Sequence, residues 1–151
     1  MAKISIPAEG EQFHGWNPGT VKIRKVTFGF TGSGADVIVT ATGTYQLADI
    51  PAGTFIHHLL ANIDTAFTAV LTATLGDGTS AAGFLASADL APQTAVSTGL
   101  VKNSIGAGEA LAGGKYYAAA DTIDVVIAGA AADAGLCSVW IVYSDGFDAV
   151  T

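Results

Sequence analysis

The chain is poor in the residue types that crosslink a small fold or bind nucleic acid. Its 151 residues include one cysteine, Cys137, so no disulfide can form within the chain and a cysteine-based zinc site is excluded. The cysteine lies in the apolar run Leu136–Tyr143, where a buried free thiol is the usual state and a nucleophile is the weaker alternative. Six basic against 13 acidic residues give a net charge of −7, which disfavours binding to a phosphate backbone.

Long apolar runs are also missing. Residues Met1–Pro7 contain no extended apolar stretch of the kind that a signal peptide needs, and nowhere does the sequence reach the length and apolarity of a membrane span. We therefore expect a protein that is made in a cytoplasm and has no membrane partner.

What the sequence has in plenty is small and apolar residues. Half of the residues are hydrophobic and 19 are glycine, a mixture that favours tight turns and close packing over long helices. A chain of this length suggests one domain, which buries roughly 70% of the surface that its unfolded form exposes.

Residues 1–20 differ from the rest because they are rich in proline, glycine and charge and show neither the helical nor the strand period. We predict an N-terminal arm over residues 1–20 and a β-sandwich domain over residues 21–151. The arm carries Phe13 and Trp16, whose full burial is worth about 2–3 kcal/mol each. We expect the arm to pack either on its own domain or on a neighbouring subunit.

Beyond the arm the pattern is typical of strands. Segments rich in β-branched residues, many of them alternating, are separated by glycine and proline, and no amphipathic helix of three or more turns is present. The predicted strands are Val21–Phe30, Asp36–Leu47, Thr54–Asp64, Ala69–Leu75, Thr122–Ala128 and Leu136–Ser144. Such a chain favours a β-sandwich or barrel, for example two four-stranded sheets in a jelly roll, and its strand edges need protection, which an oligomer can provide.

The most conspicuous candidate for chemistry is the corner Gly76-Asp77-Gly78. It lacks the further carboxylates of a calcium loop, so a turn with glycine at positive φ is the preferred interpretation over an ion site. His57 and His58 are neighbours in a predicted strand, and we expect them to point to opposite faces, where they cannot share a metal. We expect one of the two to be buried and hydrogen-bonded and the other to be exposed.

Several aspartates near the C-terminal strands are the remaining catalytic candidates. They are Asp121, Asp124, Asp133, Asp145 and Asp148. A glycosidase needs two carboxylates about 5–10 Å apart in a cleft, whereas aspartate at strand ends is typical of caps and turns. We predict no catalytic residue, no metal site and no cofactor.

Four segments in a fixed order resemble a known group of proteins. They are Ile-Pro-Ala-Gly-Thr at Ile50–Thr54, the corner that leads to Phe-Leu within Gly76–Leu85, Ala-Ala-Asp-Thr-Ile-Asp-Val at Ala119–Val125, and Leu136–Tyr143. Over residues 45–143 the chain resembles small jelly-roll head-decoration or cement proteins of tailed bacteriophages. The resemblance implies an all-β fold, a single jelly-roll-like β-sandwich with an extended N-terminal arm. It also implies a non-enzymatic homotrimer that binds the major capsid protein on the outer surface of the virion and stabilises the shell, made in the host cytoplasm.

The candidate interface residues come from the arm and the first strand. Phe13 and Trp16 are the expected anchors on a neighbouring subunit or on the shell, and Lys22, Arg24 and Lys25 would face an acidic capsid surface. The competing interpretation of the three cations is an ordinary solvated strand face.

Two other functions stay open at this point. A carbohydrate-binding or host-adhesion module of a tail or fibre would use Trp16, Tyr116 and Tyr117 to stack on sugars. A hydrolase would use the aspartates named above.

Overall fold

The protein is built almost entirely from strands. The computed structural model describes residues 20–68, 71–90, 101–103, 109–129 and 134–145. Their elements are β1 Val21–Gly29, β2 Val37–Ile38, β3 Gly43–Ile50, β4 Thr54–Thr65, β5 Leu71–Asp77, α1 Ser87–Leu90, β6 Val101–Asn103, β7 Lys115–Tyr117, β8 Asp121–Gly129 and β9 Leu136–Ser144. No helix of these ranges is long and apolar enough to cross a membrane.

Two sheets form the sandwich. The larger has the strand order β2-β1-β9-β4-β6, with β7 paired to the other end of β4, and the smaller has the order β3-β8-β5. The pairing is antiparallel except between β1 and β2, which run parallel. The predicted all-β sandwich is confirmed, although the described strands divide six and three between the sheets rather than four and four.

The core lies between the sheets because alternate residues of each strand point inward. The larger sheet contributes Val26, Phe28, Ile56, Leu59, Ala61, Ile63, Cys137, Val139 and Ile141, and the smaller contributes Leu47, Ile50, Leu71, Ala73, Leu75, Ile123, Val125 and Ile127. Phe84 and Leu85, which follow the Gly76-Asp77-Gly78 corner, are fully buried. The predicted arm lies outside the described residues apart from Thr20, so it remains a prediction.

The predicted strand Asp36–Leu47 is wrong in its middle. The chain leaves the larger sheet after β2 and enters the smaller sheet at β3, so Val39–Thr42 form the crossing. The phenol of Tyr45 holds this crossing: its oxygen accepts hydrogen bonds from the N–H groups of Thr40 and Ala41 at 3.3 and 3.1 Å and donates one to the carbonyl of Ala41 at 2.9 Å.

A β-bulge in β4 places both adjacent histidines on one face. Between Ile56 and His58 the ladder to β9 gains one residue, His57. His57 Nε2 shares a 2.7 Å hydrogen bond with Ser144 Oγ, and His58 stands opposite Val142 on the same face of β9. The prediction that the histidines point to opposite faces is therefore wrong, because a bulge breaks the alternation. Both rings are half-buried, and burial followed by repulsion from His57 lowers the pKa of His58.

Candidate interaction surface

The Gly-Asp-Gly corner is made by the aspartate side chain. Oδ1 of Asp77, a residue that is 3% exposed, accepts hydrogen bonds from the N–H groups of Thr79 and Ser80 at 2.9 Å each. Neither Gly76 nor Gly78 adopts a positive φ, so the expected glycine-based turn is wrong. An aspartate that bonds the backbone two and three residues ahead turns the chain in place of a left-handed glycine.

The second carboxylate oxygen of Asp77 closes a buried ion pair. Oδ2 accepts hydrogen bonds from Lys115 Nζ at 2.6 Å and from the phenol of Tyr117 at 2.7 Å. Burial opposes the ionisation of Asp77, but the hydrogen bonds donated to it outweigh burial and lower its pKa. Burial, and then the neighbouring carboxylate, raises the pKa of Tyr117, which therefore stays a donor.

These contacts give the corner a structural role. Two bonds to each oxygen use the acceptor capacity of the Asp77 carboxylate. Among the described residues, no group of three or more histidine, cysteine, aspartate or glutamate side chains is placed to hold a metal ion.

The two tyrosines considered for sugar stacking point to opposite faces of β7. Tyr116 is 38% exposed, whereas Tyr117 is 3% exposed and lies in the core. Trp16 lies outside the described residues. A platform formed by both tyrosines therefore cannot exist in this fold.

The described aspartates differ in their contacts. Asp121 Oδ1 accepts a 2.8 Å hydrogen bond from the N–H of Thr122. Asp124 is buried within β8, and its Oδ1 has no hydrogen-bond partner among the described residues. Asp145 lies with Asp49 at a cavity of about 180 Å³ between the sheets, which is smaller than the roughly 300–1,000 Å³ of typical ligand sites. Asp133 and Asp148 lie outside the described residues.

Cys137 is a core residue. Burial raises the pKa of its thiol well above the ordinary value, so the thiolate is scarce near neutral pH. We expect native protein to show no reaction with Ellman's reagent at pH 8 and to release one equivalent per chain after unfolding in guanidinium. A Thr72→Cys variant, whose added thiol stands on the exposed side of β5, is the positive control. Labelling of the native wild-type thiol at the rate of the Thr72→Cys thiol would contradict this assignment.

Most of the large apolar side chains that are exposed among the described residues lie on one face of the larger sheet. We call the side of the larger sheet that is turned away from the smaller sheet the outer face. Its β1 side carries Val21 and Ile23, which are 58% and 65% exposed, and the neighbouring β2 carries Ile38, which is 40% exposed. Trp140 of β9, half-buried, stands beside them. Three of the four large hydrophobic side chains that are exposed in the described part of the chain thus lie at the β1–β2 edge of the sheet.

The three cations of β1 divide between its two faces. Lys25 lies on the outer face, with Nζ 5.5 Å from the centroid of the Trp140 ring. Lys22 and Arg24 alternate with it and lie on the other side, where Lys22 Nζ is 2.6 Å from a carboxylate oxygen of Asp145. The three therefore do not form one stripe. Phe13 and Trp16, the other predicted interface residues, lie outside the described residues.

The apolar edge was missed in the sequence although its signal was there. In Val21-Lys22-Ile23-Arg24-Lys25 the apolar and basic residues alternate through the first four positions. A strand that solvates lysine and arginine on one face presents its valine and isoleucine on the other. The three neighbouring cations are the more conspicuous feature of this segment, and the apolar side chains stand between them.

Comparison with known proteins identifies shared architecture. No protein-family model and no curated protein sequence match this chain. A chain in the acidic stable capsid structure of Helicobacter pylori bacteriophage KHP30 is similar, with a TM-score of 0.61 and 14% identity over 85% of this chain and 90% of its own.

Two further capsid structures contain similar chains. One, in the capsid asymmetric unit of cyanophage Pam1, has a TM-score of 0.56 and 20% identity over 96% of this chain and 94% of its own. The other, in the capsid of Ralstonia phage GP4, has a TM-score of 0.56 and 15% identity over 87% of this chain and 88% of its own. At these identities the comparison establishes the fold, an all-β arrangement that this protein shares with chains of three bacteriophage capsid structures.

Proposed function

We propose that this protein is a structural component of a bacteriophage virion, a decoration or cement protein that binds the outer surface of the capsid as a homotrimer. The observation that carries the proposal is the apolar β1–β2 edge, because Val21 and Ile23 are large side chains left exposed in a strand. Exposed apolar clusters of this kind are typical of surfaces that bind other proteins. The capsid origin of the three similar folds supports a partner in the virion.

The function is mechanical and not enzymatic. Each trimer would bridge neighbouring copies of the major capsid protein, and the interface area that it buries would oppose expansion of the shell. A stable interface of this kind buries at least about 1,000 Å². No nucleic acid takes part, because the net charge of −7 opposes binding to phosphate.

The test combines two measurements, the mass of the protein in solution and its binding to capsids. We expect a trimer of about 45 kDa, three times the 15.1 kDa chain, by light scattering. We also expect co-sedimentation with capsids of the phage that encodes it. Ile23→Asp would introduce a charge at the exposed edge and reduce binding by at least about 10-fold, the loss expected when one of the few dominant residues of an interface is disrupted. Thr72→Asp is the matched control, because it changes an exposed strand residue of the smaller sheet.

Two results would overturn the proposal. One is a wild-type monomer that does not sediment with capsids. The other is an equal loss of binding in Ile23→Asp and Thr72→Asp, which would place the contact elsewhere. Binding of the wild-type protein to glycans in place of capsids would favour the adhesion module, although Tyr117 cannot contribute to it.

A further inference from the structure

Among the described residues, the outward side of β1 is an open strand edge along most of its length. β1 pairs with β9 along its whole length, but on its other side β2 pairs only with Phe28 and Gly29. The N–H of Thr27 donates to Asp36 and the carbonyl of Gly29 accepts from Val39, so the backbone groups of these odd-numbered residues point away from β9. By alternation the N–H and C=O groups of Val21, Ile23 and Lys25 point the same way, and no described strand pairs with them.

The edge of β5 differs from that of β1 because a returning segment covers part of it. Phe84 and Leu85 return to the side of β5 and make three backbone hydrogen bonds with Leu75, at 2.9 to 3.0 Å, so that edge is partly covered. An open edge beside exposed apolar side chains is a template for an added strand.

The positive charge of β1 determines which kind of strand pairs favourably with it. Three of the six basic residues of the chain, Lys22, Arg24 and Lys25, lie on β1. Pairing of β1 with β1 of another copy would bring these cations together, and like charges on paired strands are destabilising. An acidic strand is therefore the fitting occupant.

The chain contains a segment with acidic and apolar residues next to this edge in sequence. Only Thr20 separates residues 1–19 from β1. Lys3 is the one basic residue of Lys or Arg type in this segment, and residues 8–17 contain Glu9 and Glu11 together with Phe13 and Trp16. Fully extended, a segment of this length reaches about 60 Å, which is far more than the spacing of neighbouring strands.

The junction favours the edge of a different copy. Pro18 and Gly19 are followed by Thr20 and then by β1. Proline at the first central position of a turn favours type I or II. These types splay the flanking strands because their twist opposes that of a hairpin. A tight hairpin with the segment's own β1 is thus disfavoured.

We propose that residues 1–19 of a neighbouring copy add a strand to the open edge of β1, with Glu9 and Glu11 near the cations of β1 and Phe13 or Trp16 on Val21 and Ile23. This proposal rests on the self-association proposed above. It specifies which segment pairs with the edge of β1, and it implies that subunits exchange this segment.

Proline substitution tests the edge in the full-length protein. In Ile23→Pro the lost N–H is one that faces the open edge, so every hydrogen bond to β9 is kept and only strand addition is blocked. We expect the dissociation constant of the oligomer to rise at least about 10-fold. Ile23→Thr, which removes apolar surface but keeps the N–H, should weaken association less. Far-ultraviolet circular dichroism checks that both variants are folded.

Cysteine crosslinking tests the occupant and does not depend on the proline variant. Full-length Ile23→Cys protein is mixed with a differently tagged full-length protein that carries Glu9→Cys, Glu11→Cys or Phe13→Cys, and the buried Cys137 does not interfere. We expect a disulfide-linked heterodimer with at least one of the three under mild oxidation. Thr72→Cys in place of Ile23→Cys should give none.

The outcomes separate this proposal from the proposed function. Equal crosslinking of Thr72→Cys and Ile23→Cys, or unchanged association of Ile23→Pro, would overturn the strand exchange even if wild-type protein binds capsids. Crosslinking only within one chain, in the Ile23→Cys/Glu11→Cys double variant, would also overturn it. If the crosslink forms but wild-type protein does not bind capsids, the strand exchange stands and the capsid role fails.

Discussion

Replacement of Asp77 by alanine is expected to cost about 3–5 kcal/mol of the free energy of unfolding, because it leaves a partly buried ammonium without its partner. Lys115 Nζ would lose its 2.6 Å contact, and the phenol of Tyr117 would lose its acceptor. The backbone N–H groups of Thr79 and Ser80 would lose theirs as well. For a domain whose total stability is about 5–15 kcal/mol, this loss is large. Guanidinium unfolding followed by circular dichroism measures it.

The matched control is the other lysine–aspartate pair. Lys22 and Asp145 are also 2.6 Å apart, but their side chains are 47% and 46% exposed. Exposed pairs contribute little because water screens them, so Asp145→Ala should change stability far less than Asp77→Ala. Equal losses in the two variants would show that burial of the Asp77 pair is not what makes it strong.

Acid should weaken the same contact. The folded pKa of Asp77 lies below its ordinary value, so its carboxylate stabilises the fold above the unfolded pKa of about 3.9 and loses this contribution as pH falls through the folded pKa. The difference in stability between wild type and Asp77→Asn is therefore expected to shrink below about pH 4. A difference that stays constant from pH 7 to pH 2 would contradict this origin.

The strands that carry strong periodicity could be predicted from sequence. Predicted and observed bounds agree within one residue for β1, β4, β8 and β9, because β-branched residues and flanking turn residues mark them locally. The burial of Phe84 and Leu85 was predictable for a similar reason: two large apolar side chains in a run of small ones need a core.

Features that depend on distant partners could not be predicted. The bulge at His57 arises from the register against β9, whose Ser144 is 87 positions away in the chain, and local alternation gives no sign of it. β7 is three residues long, too short for a period, and it is needed to bring Lys115 to Asp77 across 38 positions. The open edge of β1 likewise becomes visible only when the neighbours of the strand are known.

Gly76→Ala is expected to destabilise the protein by about 3 kcal/mol, the upper part of the range for overpacked sites. A Cβ on Gly76 would lie 1.9 Å from the carbonyl oxygen of Ser80 and 2.5 Å from the carbonyl carbon of Ala81. Both atoms belong to the backbone, so no side-chain rotation can relieve the clash. The segment must move, although Phe84 and Leu85 fix it in the core. Gly113→Ala is the control, because its Cβ would meet open space, and its effect should stay within about 0.5 kcal/mol.

The losses of stability caused by Gly76→Ala and by Asp77→Ala should not be additive. The clash at Gly76 displaces the same turn that the Asp77 carboxylate holds through Thr79 and Ser80, so once the turn has moved there is less for the carboxylate to stabilise. Neighbouring residues that share partners couple by about 0.5–3 kcal/mol. We expect the double variant Gly76→Ala/Asp77→Ala to lose at least about 1 kcal/mol less than the sum of the single variants. Full additivity would mean that Gly76 and the Asp77 carboxylate stabilise the fold independently. It would contradict the view that both stabilise the same turn.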